Sequence, residues 1–274
     1  MADARDSKSR GETHESSTLS SPTRIKMNHQ LIIFDLDSTL TESKCNLDEE
    51  MADLLCLLIK QKKALIISGG SFAQFQKQVV NYLPCRQSFN NLYLAPLNGG
   101  NFYAFQNEQW KALYEENLSQ MEKQKIMDAF DKSFKETGFT PPQKIYGVLI
   151  EDRGGQITFS ALGSSAPVES KKQWDPDHQK RAKIKQSLEK YLPDFSISIG
   201  GMTSIDVHRK GTDKAYGIKK ISAHLSIPFD KILFIGDALF EGGNDYPVLQ
   251  LDIETKSVSS PAETKELIKK ILKI

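Results

Sequence analysis

Two short apolar runs, almost two hundred residues apart, each end on an acid. Gln30 to Phe34 (QLIIF) leads straight into Asp35-Leu36-Asp37-Ser38-Thr39-Leu40-Thr41, and Lys231 to Ile235 (KILFI) leads into Gly236-Asp237. Runs this short and this uniformly apolar fit strands covered on both faces, as in a parallel sheet. In open α/β sheets the crevice at the carboxyl ends of the strands is where ligands bind. Carboxylates gathered there repel one another, and the natural remedy is a divalent cation with a preference for hard oxygen ligands, such as magnesium.

The surrounding pattern supports the sheet. After the first acidic loop, Asn46 is expected as an N-cap, with Asp48, Glu49 and Glu50 in the first turn and Met51, Leu54, Leu55 and Leu58 at helical spacing. Ala64 to Ile67 repeats the strand signal and runs through Ser68-Gly69-Gly70-Ser71 into a helical stretch over Phe72 to Leu83. Two strand-loop-helix units in succession predict right-handed crossovers and an α/β fold. The last helix opens on Ser260 and Pro261, with Glu263 expected to complete a capping box.

The middle of the chain reads differently. Leu118, Met121, Phe130 and Phe134 suggest one helical face, Ile145 to Ile150 and Gln156 to Ser160 suggest strands, and Ile184, Leu188 and Leu192 suggest another helix before Phe195 to Ile199. These elements do not alternate as a parallel sheet requires, so an α+β insertion is expected inside a discontinuous core. The expected division is a disordered tail at 1–27, core at 28–103, insertion at 104–202 and core again at 203–274. The tail carries too few large apolar side chains to offset its ordering entropy, and its acids, Asp3, Asp6, Glu12 and Glu15, argue against a transit peptide.

Composition removes several function classes. Lys plus Arg number 36 against 35 Asp plus Glu, a formal net charge of +1, which gives no electrostatic footprint for nucleic acid or a membrane surface. No window approaches the roughly 18 unbroken apolar residues of a spanning helix. The three cysteines, Cys45, Cys56 and Cys85, form neither a CxxC nor an evident paired framework, so a cytoplasmic, reducing location is expected. No GxGxxG or GKS/T loop follows the first strand, which speaks against a nucleotide-binding dehydrogenase.

Taken in order, strand-DxDxT with Asp35 and Asp37, strand-Ser68, Lys214 at the mouth of a helix, and strand-Gly236-Asp237 followed by Gly242-Gly243-Asn244-Asp245 resemble the four motifs of the haloacid dehalogenase (HAD) superfamily. The resemblance implies a Rossmannoid parallel-sheet core and phosphoryl transfer through an aspartyl phosphate. It makes Asp35 the nucleophile and Asp37 the general acid/base. Magnesium would be held by Asp35, the Asp37 carbonyl and Asp237, with Asn244 and Asp245 supporting the metal shell. Lys214 would offset charge, and Ser68 would donate a hydrogen bond. Every group the reaction needs is present, against a catalytically idle relative that only binds.

The insertion falls where the type IIB branch of that superfamily carries its α+β cap. Within the branch, Ile150-Glu151-Asp152-Arg153, Ser198 to Val207, Asp213-Lys214 and Gly242 to Asp245 are most similar to eukaryotic-type phosphomannomutases. That likeness implies a small phosphate ester, a sugar phosphate, between cap and core, touched by Arg153, Ser204 and Asp206; it also implies a homodimer through the cap. The mutase pattern is incomplete: Lys44, Ser164 and Lys171 stand where arginines are expected. Lysine loses the bidentate fork and serine loses the charge. A weaker hold on a second phosphate favours release to water, and Ser68 fits the hydroxyl of the superfamily's phosphatases. The leading expectation is therefore a magnesium-dependent phosphatase, with phosphomannomutase as the alternative.

Overall fold

The acid-terminated runs are adjacent strands. In this computed structural model, which describes residues 28–274, β1 (Leu31–Asp35) pairs in parallel with the strand at Ile232–Gly236, Phe34 opposite Ile235. The tail expected at 1–27 lies outside the described residues. Then follow α1 (Glu49–Ile59), β2 (Lys63–Ile67), α2 (Phe72–Gln78), β3 (Leu92–Ala95), β4 (Asn101–Gln106) and β5 (Gln109–Glu115). Past them come α3 (Gln120–Thr137), β6 (Ile150–Asp152), β7 (Gln156–Ser160), α4 (Val168–Trp174), α5 (Gln179–Tyr191), β8 (Phe195–Gly200) and β9 (Ser204–Arg209). The chain closes with α6 (Lys214–Leu225), β10 (Ile232–Gly236), β11 (Glu254–Ser257) and α7 (Pro261–Leu272).

Two sheets result. The first has seven strands in the order β11-β10-β1-β2-β3-β4-β5, parallel from β11 through β3 and antiparallel at β4 and β5. β1 is apolar at every position because both its faces are covered. Ile32 and Phe34 pack with Met51, Leu55 and Leu58 of α1 and Ile268 of α7; Leu31 and Ile33 pack with Ile218 and Ile221 of α6. The second sheet has the antiparallel order β6-β7-β9-β8, and one face of it buries Ile157, Phe159, Ile205 and Val207 against Ile126 and Phe130 of α3 and Ile184 and Leu188 of α5. Its other face carries Gln156, Thr158, Ser160, Ser204 and Asp206, the polar half of a period-two alternation.

Several expectations need correction. Boundaries at 104 and 202 cut through sheets: β4 and β5 extend the first sheet to Glu115, while β9 keeps residues 204–209 in the second. The hairpin's apolar residues, Phe102 and Phe105, pack with the parallel strands, which the local pattern does not reveal. The cap of α1 is Asp48, which accepts from Met51 N at 2.9 Å, rather than Asn46. Met121 faces solvent, and Ile126, Ala129 and Phe130 form the buried stripe of α3. The strand expected at 145–150 is reduced to Ile150–Asp152. At α7, Ser260 caps as expected, but the Glu263 carboxylate reaches Ser259 N, at 2.6 Å, rather than the cap residue. Finally, Cys56 and Cys85 are paired in a disulfide with their Cα atoms 5.7 Å apart, brought together by packing that a separation of 29 residues does not announce.

Where the two sheets join, Arg209 at the end of β9 grips Glu122 of α3 with two bonds of 2.7 Å and the Asn117 carbonyl with a third of 2.9 Å. Hydrogen bonds from Arg209 and from Ser119 N hold the Glu122 carboxyl down at about 2, against an ordinary value of 4.5. A depressed carboxylate contributes stability above its unfolded value and loses it as pH falls through the folded one. Allowing for solvent screening of a partly exposed pair, Glu122→Gln should cost about 1 kcal/mol at pH 7. Urea titrations should show this gap shrinking from pH 4.5 toward pH 2; a gap independent of pH would rule out the ionic contribution.

Candidate active site

Asp35 is the last residue of β1 and Lys214 the first of α6, and both are buried. Asp213 caps α6 by accepting from Tyr216 N at 2.8 Å, which fixes where the helix begins and therefore where Lys214 points. The Lys214 ammonium bridges Asp35 Oδ1 and Asp245 Oδ1. The other oxygen of Asp245 accepts from Ala238 N at 3.1 Å, tying the loop after β10 back on itself. Gly236 is required here, since a side chain at that position would run into the Asp245 carboxylate. Asp237 follows β10, and the Thr39 hydroxyl from the first acidic loop reaches its Oδ1 at 3.5 Å.

Asp35, Asp237 and Asp245 thus place one oxygen each within 4.8 Å of one another. Burial pushes the Asp35 carboxyl up to about 7, against the opposing charge of Lys214. Burial, then the charge of Asp245, also raises Asp237. Burial disfavours the charged form of Lys214, but the carboxylates of Asp35 and Asp245 outweigh it and hold the lysine protonated. Three carboxylates against one ammonium leave surplus negative charge among hard oxygen donors, a set that suits a divalent cation. The third side chain in this group is Asp245, placed among supporting residues by the sequence. The Asp37 side chain turns away, accepting from Lys44 N at 2.5 Å, because a turn with Ser38 in the left-handed region at φ 62° redirects the chain.

A cleft of about 200 Å³ lies between the two sheets, reached by Asp37 and Asn244 from the cluster's loops but not lined by Asp35, Lys214, Asp237 or Asp245 themselves. Asp37, Lys44, Ser68, Gly69, Gly70, Gln74 and Asn244 line it from the first sheet's loops, and Arg153, Thr158, Gly200, Gly201, Ser204 and Asp206 from the second. Ser68 follows β2 without capping a helix, since Ser71 caps α2; its hydroxyl accepts from Gly70 N at 3.4 Å. Within the second sheet, Thr158 Oγ1 donates to Asp206 at 2.7 Å and Ser160 meets Ser204 at 3.2 Å. Arg153 faces the cleft but spends two bonds, of 2.8 and 2.7 Å, on Glu151. Lys171 on α4 is not among the lining residues; its Nζ donates to the Ser164 carbonyl at 3.3 Å. Burial and the neighbouring charge of Lys44 lower it. Sequence reasoning missed Thr158 and Gln74. The polar alternation Gln156, Thr158, Ser160 would have found the first; the sequence carries no signal for the second.

Known proteins resemble this chain in sequence and in fold. The family model described as eukaryotic phosphomannomutase matches residues 51–274. The phosphomannomutase of Saccharomyces cerevisiae is 30% identical over 252 residues, covering 89% of this chain and 94% of that one. That of Drosophila melanogaster is 28% identical over 266 residues, covering 91% and 98%. Among solved structures, an IMP-nucleotidase of Plasmodium falciparum aligns with a TM-score of 0.66 at 20% identity over 91% of this chain and 69% of that one. A haloacid dehalogenase-like hydrolase of Bacteroides thetaiotaomicron aligns at 0.63 and 14% identity, covering 89% and 99%. These two likenesses establish the fold alone.

If the three carboxylates bind a dication, millimolar magnesium should raise the thermal midpoint of the folded chain, because a ligand bound only by the native state stabilises it by mass action. The rise should vanish in Asp237→Asn. An equal rise in that variant would place the cation elsewhere.

Proposed function

The chain belongs to the eukaryotic phosphomannomutase family, within the HAD superfamily of phosphoryl transfer enzymes, and from that premise we propose that it interconverts mannose 1-phosphate and mannose 6-phosphate. The observation that carries the reading is the bridge from Lys214 to Asp35 and Asp245, with Asp237 beside it, next to a cleft lined by Arg153, Ser204 and Asp206. The relatives weigh toward this alternative and against the phosphatase that the sequence alone put first.

In the proposed reaction an Asp35 oxygen attacks one phosphorus of a hexose bisphosphate while that ester P–O bond breaks, leaving a hexose monophosphate, and Asp37 gives a proton to the departing sugar oxygen. Lys214 balances charge on the nucleophile and on the phosphoryl oxygens, to which Ser68 and the amides of Gly69 and Gly70 donate. A sugar hydroxyl then attacks the aspartyl phosphate, with Asp37 taking its proton, and Asp35 is restored. Magnesium held by Asp35 and Asp237, with Asp245 and the Asp37 carbonyl close by and Asn244 in support, would supply positive charge that keeps Asp35 ionised and offsets repulsion between carboxylate and phosphate. Ser204 and Asp206 would hold sugar hydroxyls, while Arg153, Lys44 and Lys171 would hold the phosphate that is not reacting. A homodimer through the outer face of α3, where Met121 and Met127 are exposed, belongs to the same reading. So does a cytoplasmic location, although the Cys56–Cys85 pair would be reduced there.

A second reading keeps the same chemistry and ends in hydrolysis. It is favoured by the distal grip: Lys44 and Lys171 offer single ammoniums, Ser164 no charge, and Arg153 already holds Glu151. Purified protein given mannose 1-phosphate, magnesium and a hexose bisphosphate should accumulate mannose 6-phosphate. Release of inorganic phosphate instead would replace the mutase by the phosphatase. Asp35→Asn should lower either activity by about a thousandfold or more, and retained turnover would defeat the mechanism.

A further inference from the structure

One buried charged pair belongs neither to the carboxylate cluster nor to the substrate contacts above. Arg181 of α5 and Asp175, just before it, are both buried, Nε to Oδ2 at 2.7 Å, and Asp175 also accepts from Lys180 N at 2.9 Å. Buried ion pairs are often no more stabilising than apolar residues of the same shape. This one is kept even though Arg181 Nη2 finds no partner among the described residues. What the pair does accomplish lies at its other end. Arg181 Nη1 donates to two consecutive carbonyls, Gly200 O at 3.2 Å and Gly201 O at 2.7 Å, in the turn between β8 and β9 that walls the cleft.

A trans peptide unit points its C=O and N–H in opposite directions, and no peptide bond among the described residues is cis. With both carbonyls turned onto Arg181, the N–H groups of Gly201 and Met202 face away from it, and among the described residues neither has a backbone acceptor outside the strand pairing. Gly201 takes φ 47°, and a side chain there would collide with the Lys44 ammonium, so Lys44 stands against this turn from the cleft. Successive backbone N–H groups in such a turn form an anion-binding concavity. Lys44 adds a positive charge to it.

We propose that Arg181, anchored by Asp175, is a positioning residue that turns the Gly200–Gly201 and Gly201–Met202 peptides to form, with Lys44, the seat for the anionic group of the substrate remote from Asp35. The inference rests on the sugar-phosphate reading given above. It assigns part of the distal grip to backbone amides, where arginine forks are missing.

The test uses Arg181→Lys, which keeps a charge beside Asp175 but cannot hold Asp175 from one nitrogen and the two carbonyls from another as Arg181 does. A hexose 1,6-bisphosphate is titrated calorimetrically into Asp35→Asn and into Asp35→Asn/Arg181→Lys, so that binding is read without turnover. In parallel, hydrolysis of p-nitrophenyl phosphate, which has no remote anion, is followed in the chain with Asp35 intact, with and without Arg181→Lys. The expected result is a dissociation constant weakened about tenfold, with p-nitrophenyl phosphate kinetics within about twofold. An unchanged dissociation constant, no bisphosphate binding to Asp35→Asn, or equal losses on both probes would overturn the inference. Should Arg181→Lys not fold, the neutral pair Asp175→Asn/Arg181→Gln replaces it, with the same outcomes decisive. If mannose 1-phosphate yields no mannose 6-phosphate with the chain with Asp35 intact while the bisphosphate affinity still responds to Arg181, the proposed function fails and the positioning role stands.

Discussion

A lysine with no exposure to water, shared between two carboxylates from opposite ends of the chain, is the contact on which the site depends. Lys214 comes from the start of α6, Asp35 from the end of β1 and Asp245 from the loop after β10, so three separate segments meet at one ammonium. Each charge is expensive to bury alone. Together they hold the carboxyl ends of the two central strands in register with the helix that covers them, and the surplus negative charge creates the need for a cation. Local stability and the proposed chemistry therefore draw on the same arrangement: removing the lysine would leave two buried acids without a counter-charge.

The second sheet answers a different requirement. Its alternation places Ile157, Phe159, Ile205 and Val207 in a core with α3 and α5, which frees the opposite face to be polar. That face lies over the cleft, and its hydroxyls and carboxylate already bond one another, Thr158 to Asp206 and Ser160 to Ser204. Such prearranged groups present fixed acceptors and donors to a hydroxylated ligand at little ordering cost. The joint between the sheets is held by Arg209 on Glu122 and Asn117, so the roof of the cleft is braced to the segment that leaves the first sheet.

Much of this was legible in the sequence where local chemistry decides. Uniformly apolar runs ending beside Asp35 and Asp237 specified two strands, and the structure places them side by side. The order of motifs points to Lys214, whose contacts only the fold supplies. What escaped is what only packing determines. The hairpin of β4 and β5 reads as insertion but adds to the first sheet, because its aromatic residues complete the core there. Cys56 and Cys85 meet only because α1 lies beside the loop that follows α2. Asp245 was set among supporting residues because its spacing from Asp237 does not show that the intervening loop folds back onto Ala238 N. The weighting of phosphatase over mutase rested on missing arginines, a local signal, while the relatives weigh the chain as a whole.

The central claim is that phosphoryl groups pass through Asp35. The most direct measurement is acid quenching of the magnesium-loaded chain a few milliseconds after mixing with a hexose 1,6-bisphosphate, followed by peptide mapping by mass spectrometry. A hydroxylamine-labile phosphoryl group on the peptide bearing Asp35, absent in Asp35→Asn, is the predicted result. A phosphoryl group carried on any other residue, or turnover without one on Asp35, would contradict the account.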